Sequence, residues 1–388
     1  MKVAIDIRRA GSYGLGTYIR NIVNHLGRAN YATRYLLFGS VRDRDQFEAL
    51  PPHFEWVEHV PLPESFRDQW RLPLLLRNRQ VDVLHEPWLY APLVSPCPVV
   101  ITVHDLLDLI DSHAGPLPEG VRPPRSLRRQ FARRALDRAT RIFAVSHATQ
   151  RELTRVFGVP EEKIEVVYNA LDERFLSEPL TAGAERILER HAVNYPFLLY
   201  AGNIRPQKNL SRLIEAFAVV KAELAGDPAL GNLKLIVIGD ELAKHPALRR
   251  EVVRTRMRDE VRFLGFVPHN VLRVFYAHAR AFLFPSLYEG FGLPPLEAMA
   301  HGTPVVTSNV SSLPEVFGPA ALLVNPENVF DIARGIRSVL TDQALRQDLI
   351  ARGYERVKCY SWERAAQQIH KAYEDVAAGK KNGRSSRV

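Results

Sequence analysis

Short apolar runs rich in β-branched residues alternate with amphipathic helical segments along the whole of this 388-residue chain. Such alternation predicts βαβ units, and therefore an α/β fold built on doubly wound parallel sheets. The predicted strands span residues 3–7, 35–38, 81–85, 99–104, 141–146 and 164–169 in the first half, and 197–202, 233–239, 261–265, 281–286, 304–308 and 322–325 in the second. The last three predicted helices span residues 329–340, 343–360 and 362–376.

The chain is longer than one hydrophobic core usually serves, so two domains are expected. The strand–helix rhythm lapses after Asn169, in a polar stretch that contains Pro179 and is typical of a linker. We interpret the chain as two Rossmann-like domains that face each other across a cleft. The expected parts are an N-terminal domain at 1–175, a linker at 176–195, a C-terminal domain at 196–360, a final helix at 361–378 and a disordered basic tail at 379–388.

Glycines and polar residues cluster directly after the predicted strands. In open α/β sheets, ligands bind beyond the carboxyl ends of the strands. Chance placement would scatter these residues, so their position indicates one ligand-binding cleft. They are Gly14 and Gly16, His104, Ser146, Asn169, the loop from Gly202, Gly239 and the loop that carries Glu289.

The segment from Glu289 to Glu297 follows an apolar strand and contains two glycines and two prolines. Pro295 suits the first turn of a helix, and Glu297 is expected in that turn, where the helix dipole favours a negative charge. The glycines let backbone N–H groups approach a ligand closely. This combination suits a polyhydroxylated, phosphorylated ligand, and the alternative is an ordinary strand–helix turn with two surface acids.

Glu289 and Glu297 could also be the catalytic pair of a retaining glycosidase. That chemistry needs carboxyl groups about 5–5.5 Å apart. An extended loop followed by a helix start disfavours such a close approach.

Arg205 and Lys208 lie in the segment that joins the strand at 197–202 to the next helix. At the N-terminal edge of a helix, backbone donors and the helix dipole already favour anions. The pair therefore predicts an anion site, and the alternative is a solvated basic loop.

These segments together resemble the family 4 retaining glycosyltransferases of the two-domain GT-B fold, and most of all their mannosyltransferase-like branch in bacterial polysaccharide assembly. The resemblance covers nearly the whole chain. Besides Glu289–Glu297, it is carried in the family's order by segments 14–18, 103–106, 144–146, 167–169, 202–209 and 361–363.

The resemblance implies transfer of a hexose, mannose by preference, from a nucleotide diphosphate sugar to a glycan or a polyprenyl- or other lipid-linked acceptor. The C-terminal domain would bind the nucleotide, the N-terminal domain would receive the acceptor, and the final helix would cross back onto the N-terminal domain. Neither a metal nor another cofactor is expected, because a cationic pair would replace a metal. The resemblance also implies a role for each candidate residue. Lys208 and Arg205 would neutralise the departing diphosphate, and Glu297 would bind the ribose. His104, oriented by Asp105, would donate a hydrogen bond to a sugar hydroxyl or phosphate. The sugar would contact Glu289 and the backbone of Gly290, Phe291, Gly292 and Leu293, and the phosphate would contact Gly14, Gly16 and Gly202.

One position departs from the family pattern. Relatives often have an arginine directly before the lysine, where this chain has Gln207. The departure weakens the role of Arg205 more than that of Lys208.

The composition places the chain among globular proteins of a reducing compartment. It is 46% hydrophobic and 24% charged, and no apolar run approaches the ~20 residues of a membrane-spanning helix. Asp6 argues against a signal peptide, and the two cysteines, Cys97 and Cys359, have no metal-ligand spacing. A cytoplasmic enzyme, peripheral at the inner face of the membrane, is expected.

The net charge of +9 admits a nucleic acid, an anionic membrane or an anionic small molecule as partner. The charge is concentrated in a helical stretch at 122–138, with Leu127, Phe131 and Leu136 on one face and most arginines off it. Membrane contact and an ordinary solvated face both fit this stretch. Nucleic acid is disfavoured, because no binding motif accompanies the charge.

Two rival functions share these features, namely a sugar-nucleotide epimerase and a non-catalytic sugar-nucleotide-binding protein. The first should carry acid/base residues near the sugar, and none is identified. Intact Glu289, Glu297 and Lys208 argue against the second. The triplet Asp43-Arg44-Asp45 matches a metal-binding pattern of another glycosyltransferase fold, but its charged context favours a solvated loop. Selection of the nucleotide base is expected around 239–242 and 263–267.

Overall fold

The computed structural model describes residues 1–12, 14–29, 32–47, 50–59, 61, 65–110, 125–176 and 183–385, without the side chains of residues 66 and 380–385. The described residues form two compact units. Among them, the N-terminal unit draws on residues 1–110, 125–170 and 361–385, and the C-terminal unit on residues 171–360.

A parallel sheet forms the centre of the N-terminal unit. Its strands are β1 (Lys2–Asp6), β2 (Arg34–Gly39), β3 (Phe54–Glu58), β4 (Val83–Glu86), β5 (Val99–Val103), β6 (Arg141–Ala144) and β7 (Ile164–Val166). They are ordered β3-β2-β1-β4-β5-β6-β7. The order reverses between β1 and β4, as in a doubly wound fold. The helices of this unit are α1 (Leu15–Arg28), α2 (Val41–Arg44), α3 (Phe66–Asn78), α4 (Leu107–Ile110), α5 (Arg125–Arg138), α6 (His147–Phe157) and the C-terminal helix (Trp362–Ser385).

The C-terminal unit repeats the plan with a second parallel sheet. Its strands are β8 (Phe197–Gly202), β9 (Lys234–Gly239), β10 (Val261–Gly265), β11 (Ala281–Phe284), β12 (Val305–Ser308) and β13 (Leu322–Val324). They are ordered β10-β9-β8-β11-β12-β13, with the reversal between β8 and β11. The helices are α7 (Glu173–Leu176), α8 (Ala184–Arg190), α9 (Leu210–Glu223), α10 (Pro246–Arg254), α11 (His269–His278), α12 (Leu293–Ala300), α13 (Leu313–Phe317), α14 (Val329–Thr341) and α15 (Gln343–Lys358).

The strands are apolar because helices cover both faces of each sheet. All five residues of β5 are buried, and so are the four residues of β11. Parallel sheets of this kind give continuous hydrophobic runs rather than alternation. These continuous runs are the reason that the central strands could be predicted from the sequence. The two parallel sheets with their helices confirm the predicted α/β class of two Rossmann-like units.

The edge strand β3 was not predicted. Its sequence, Phe-Glu-Trp-Val-Glu, combines three apolar residues with two acids, and only Val57 is buried. It pairs with β2 alone among the described strands, so one side of its backbone is unpaired within the sheet. Charged side chains are common on such edges, because they discourage further pairing.

The C-terminal helix packs within the N-terminal unit. The Tyr373 hydroxyl lies 2.5 Å from Nδ1 of His85 on β4, and the Tyr35 hydroxyl lies 2.8 Å from Nδ1 of His370. Its first residue, Trp362, makes an edge-on ring contact with Tyr18 on α1, at 5.9 Å between centroids. The structure continues this helix to Ser385, where the sequence predicts a disordered tail from residue 379. Lys380, Lys381 and Arg384 favour this continuation, whereas Gly379 and Gly383 oppose it.

No helix in the described part of the chain is long and apolar enough to cross a bilayer.

Candidate active site

The switch point of the C-terminal unit brings together two of the predicted loops. Strands β8 and β11 are neighbours, and the chain leaves their carboxyl ends in loops that lead to α9 and α12. Open sheets of this type bind ligands in the crevice at such a point. The two loops are joined by a backbone hydrogen bond from the Leu287 N–H to the Gln207 carbonyl, at 2.7 Å.

Lys208 and Glu289 form an ion pair between these loops. The Lys208 Nζ lies 2.5 Å from the Glu289 Oε1, and their side chains are only 14% and 12% exposed. The same ammonium lies 4.9 Å from the centroid of the Phe284 ring, at the end of β11. Because their burial limits screening by water, the two charges attract each other more than an exposed pair at the same distance would.

The backbone of Glu289 is held from a third loop. The hydroxyls of Ser311 and Ser312 donate to the Glu289 carbonyl at 2.5 and 2.9 Å, and the Glu289 N–H donates to the Ser311 Oγ at 3.2 Å. Sequence reasoning missed both serines. A local signal was absent, because they follow β12, more than 20 residues further along the chain.

Arg205 lies at the start of the short helical turn Pro206–Lys208. Among the described residues, its guanidinium has no hydrogen-bond or ion-pair partner, whereas Lys208 is paired. The turn ends at Asn209, which is buried and left-handed at φ 60°. The Asn209 side-chain amide donates to the carbonyls of Pro285 at 3.0 Å and Pro326 at 2.7 Å, and so ties this turn to the β11 loop.

Two glycines allow the loops after β8 and β9 to touch. Gly202 and Gly239 have φ values of 146° and 148°, which side chains rarely adopt. A Cβ atom on Gly239 would overlap the carbonyl oxygen of Gly202. The Ile204 N–H then donates to Oδ2 of Asp240 at 2.9 Å, which fixes the first loop against the second.

Helix α12 begins earlier than predicted, which moves Glu297 out of its first turn. Gly292, with φ 98°, precedes the helix, and a Cβ there would lie 3.0 Å from Leu313. Pro294 and Pro295 then occupy the first turn. Glu297 is the fifth helical residue, so the expected position in the first turn is wrong.

The environment of Glu297 favours its protonated form. Burial raises the pKa of Glu297 to about 7, against the hydrogen bond from Tyr276; nearby Asp172 adds to the rise and Arg174 opposes it. The Tyr276 hydroxyl donates to Oε2 of Glu297 at 2.8 Å. The carboxyl group therefore changes its charge near neutral pH.

A cavity of about 590 Å³ opens at the ends of β9 and β10. It is lined by residues of segments 239–242 and 263–267, for which the sequence predicts selection of the nucleotide base. Its lining residues are Glu241, Leu242, Phe263, Leu264, Gly265 and Phe266.

Four residues with predicted roles lie in the N-terminal unit. Gly14 precedes α1 with φ 64°, and a Cβ on Gly16 would overlap the Ala10 carbonyl. The His104 Nε2–H donates to the Pro87 carbonyl at 3.0 Å, and burial lowers the pKa of His104 to about 4. The neutral ring therefore offers Nδ1 as an acceptor, whereas the sequence hypothesis made His104 a donor. Asp105 caps α4 by accepting from the Leu107 N–H at 3.1 Å.

The other predicted residues, namely Gly202, Arg205, Lys208, Glu289, Gly290, Phe291, Gly292, Leu293 and Glu297, lie in the C-terminal unit.

Asp43 and Arg44 of the Asp43-Arg44-Asp45 triplet lie in the short helix α2 rather than in a loop, and Asp45 follows the end of that helix. Oδ2 of Asp43 accepts from the N–H of Ser40 at 2.8 Å as one half of a capping box at the start of α2, and it also accepts from the Ser40 hydroxyl at 2.6 Å. Capping boxes satisfy donors at a helix start, so Asp43 has a structural role. In the described ranges, no group of three or more histidine, cysteine, aspartate or glutamate residues is placed to hold a metal ion.

The two halves of the chain match two family models. Residues 13–175 match the model described as Glycosyltransferase Family 4, and residues 184–356 match the model described as Glycosyl transferases group 1.

Curated relatives include two proteins of Escherichia coli. O-antigen chain mannosyltransferase B is 35% identical over 240 residues, which cover 62% of this chain and 61% of the relative. The serotype-specific mannosyltransferase WbdA is 33% identical over 233 residues, which cover 59% of this chain and 28% of the relative. This chain thus aligns with less than two thirds of either relative.

Solved structures resemble this chain over nearly its full length. Sucrose-phosphate synthase from Thermosynechococcus elongatus has a TM-score of 0.77 at 21% identity, over 98% of this chain and 100% of the other. Anabaena HepE in complex with UDP and glucose has a TM-score of 0.72 at 18% identity, over 97% and 100%. With the paired doubly wound sheets, these matches define the GT-B class of fold. The chain belongs to the glycosyltransferases of this fold, with a family 4 N-terminal part and a group 1 C-terminal part.

Proposed function

We propose that this protein is a retaining, metal-independent hexosyltransferase that acts at the cytoplasmic face of the membrane. Its donor is a nucleotide diphosphate sugar, with mannose as the preferred hexose, and its acceptor is a glycan or a lipid-linked glycan. The names of the two E. coli relatives support mannose, and the solved complex of HepE with UDP and glucose supports a nucleotide-linked donor.

The observation that carries this proposal is the Lys208–Glu289 pair at the switch point of the C-terminal unit. Each partner supplies one half of the chemistry that a sugar diphosphate needs. The Lys208 ammonium binds phosphate oxygens, and the Glu289 carboxylate accepts hydrogen bonds from sugar hydroxyls. The guanidinium of Arg205, which has no partner among the described residues, adds a second cation for the diphosphate.

The start of α12 supplies the neutral donors. Pro294 and Pro295 have no N–H groups, so the donors at this end of the helix come from residues 290–293. Gly292 keeps this backbone free of a Cβ atom. These N–H groups contact the sugar and the phosphate without adding charge.

Transfer with retention follows from attack on the face that the diphosphate leaves. The bond between the sugar C1 and the β-phosphate oxygen breaks, and both bonding electrons stay with the phosphate. An acceptor hydroxyl oxygen bonds to C1 on the same face, and its proton passes to the departing phosphate oxygen. Lys208 and Arg205 stabilise the charge that develops on the diphosphate, and such preorganised charge stabilisation is usually the largest catalytic contribution.

The N-terminal unit receives the acceptor in this proposal. The neutral His104 accepts a hydrogen bond from a sugar hydroxyl through Nδ1, and the Gly14–Gly16 turn brings backbone close to the phosphate.

The purified protein should transfer label from a nucleotide diphosphate-hexose to a glycan acceptor in the presence of EDTA. Incubations with and without acceptor, followed by separation of the products, check this. Conversion of the donor to another sugar nucleotide would indicate an epimerase, and binding without turnover would indicate a non-catalytic protein. Activity that EDTA abolishes and manganese or magnesium restores would contradict the metal-independent mechanism.

Donor binding should weaken as the pH falls through 7, because the ribose hydroxyls need the Glu297 carboxylate and burial raises its pKa to about 7. Between pH 8 and pH 6 we expect a loss of about 5–10-fold in the affinity for a nucleoside diphosphate, since the ionised fraction falls about that much. Calorimetry at both pH values measures this. Glu297→Gln is the control, because it retains only the titration of the nucleotide phosphates. An equal pH dependence in both proteins would exclude the ribose role.

Helix α5 supports the peripheral membrane contact. Its buried face consists of Ala132, Ala135 and Leu136, whereas Leu127 and Phe131 are 37% and 39% exposed among the arginines. Apolar side chains amid basic ones suit the surface of an anionic bilayer. The predicted basic stretch also included residues 122–124, which lie outside the described residues.

Sedimentation with vesicles that contain phosphatidylglycerol should fall as salt rises, because exposed charges are screened over ~10 Å at 0.1 M. Replacing Arg128, Arg129, Arg133 and Arg134 by glutamine should remove most of the binding. The matched control replaces the exposed Arg249, Arg250, Arg256 and Arg258, and so removes the same charge from the C-terminal unit. Equal binding by the two variants would leave α5 as an ordinary solvated helix.

A further inference from the structure

The cavity at the ends of β9 and β10 adjoins the loop that carries the cationic pair. Asp240, which fixes Ile204 of that loop by the 2.9 Å hydrogen bond, is followed directly by Glu241 of the cavity wall. The loop that carries Lys208 and the cavity wall are therefore held together, which suits a ligand whose phosphates lie at Lys208 and whose nucleoside end lies in the cavity.

The cavity wall combines one carboxylate with aromatic surface. Among its six described lining residues, Glu241 alone is charged, and Phe266 is an aromatic residue that is 65% exposed. Gly265, with φ 67°, contributes no side chain, and a Cβ there would lie 3.9 Å from Cγ of Glu241. The wall thus presents a carboxylate and an exposed ring, and Gly265 adds no side chain beside the carboxylate.

Nucleobases differ in what they offer to a carboxylate. Guanine carries two adjacent donors on one edge, N1–H and the 2-amino group, which match the two oxygens of a carboxylate. Uracil and thymine place their single N–H between two carbonyl oxygens, which a carboxylate repels. Adenine and cytosine place a ring-nitrogen acceptor beside their amino group. A carboxylate therefore prefers guanine.

We propose that this cavity binds the base of the donor nucleotide and that Glu241 makes it selective for guanine. Phe266 stacks on the base without distinguishing one base from another. The inference rests on the proposed function and adds the nucleotide class of the donor. The ion pair of Glu241 with Lys244, at 3.7 Å and with side chains 67% and 70% exposed, is too weak to withhold the carboxylate.

Calorimetry with GDP, IDP, UDP and ADP tests this on the full chain. IDP has the N1–H but lacks the 2-amino group of guanine. The wild-type protein should bind GDP more tightly than IDP, UDP or ADP. Glu241→Gln and Glu241→Ala should lose between about 5-fold and 150-fold in GDP affinity, the range of a good bidentate contact to a base. Their UDP affinity should stay the same or rise, because the carboxylate that repels the uracil carbonyls is gone. Phe266→Ala should weaken all four ligands to a similar extent.

Glu355→Gln is the matched control, because Glu355 forms an equally exposed pair with Lys358, three residues on, in the same unit. It should bind every nucleotide as the wild type does. Tighter wild-type binding of UDP or ADP, or unchanged GDP affinity in both Glu241 variants, would overturn the guanine inference and leave the transferase intact. A wild-type protein that binds none of the four nucleotides would overturn the proposed donor together with this inference.

Discussion

Lys208→Ala should lower kcat by about 10²–10³-fold while it weakens donor binding far less, because the ammonium acts mainly on charge that the diphosphate gains as the glycosidic bond breaks. Steady-state kinetics together with calorimetry of the nucleoside diphosphate-sugar separate the two effects. Glu297→Ala should do the reverse, since ribose contacts differ little between the ground and transition states and mainly set affinity.

The matched control is Lys221→Ala. The Lys221 side chain is also 14% exposed and pairs with Glu260 at 3.0 Å, but it lies on α9, outside the two loops. The Lys221→Ala variant tests whether breaking any partly buried ion pair of this unit is enough to reduce turnover. If Lys208→Ala mainly weakened donor binding and Glu297→Ala mainly lowered kcat, the roles assigned to the two residues would be the wrong way round. Near-wild-type turnover in both variants would place the active site elsewhere.

Gly239→Ala should destabilise the protein by about 3 kcal/mol or more and should abolish nucleotide binding. The added Cβ would overlap the Gly202 carbonyl, and φ 148° is unfavourable for alanine, so overpacking and backbone strain act together. The loops after β8 and β9 must then separate, which moves the hydrogen bond between Ile204 and Asp240. Thermal unfolding followed by circular dichroism measures the loss of stability.

Gly226→Ala is the control for this substitution. A Cβ on Gly226 meets nothing within 4 Å, so the melting temperature of the Gly226→Ala protein should stay close to that of the wild type. A Gly239→Ala protein that melts like the control and still binds nucleotide would show that close contact of the two loops is not required.

Much of the candidate site could be predicted because its residues follow buried strands directly. The apolar runs of β8 and β11 mark their own ends, and Gly202, Lys208 and Glu289 come soon after those ends. The position of Glu297 in its helix was predicted less well. Helix α12 contains two prolines in its first turn, and its start depends on which residue before them adopts a left-handed backbone conformation. Gly292 takes that conformation against Leu313 and Phe317, which follow it by more than 20 residues.

The amino-acid pattern alone was sufficient for the α/β class, for most strands to within two residues and for the placement of the charged loops at strand ends. These features depend on local periodicity and on residue type, which a single sequence displays. Contacts between distant segments had to come from the folded chain. Ser311 and Ser312 hold Glu289, Tyr276 shares a hydrogen bond with Glu297, and the C-terminal helix packs on β4. The pKa of Glu297 belongs with these contacts, because burial and neighbouring charges exist only once the chain has folded.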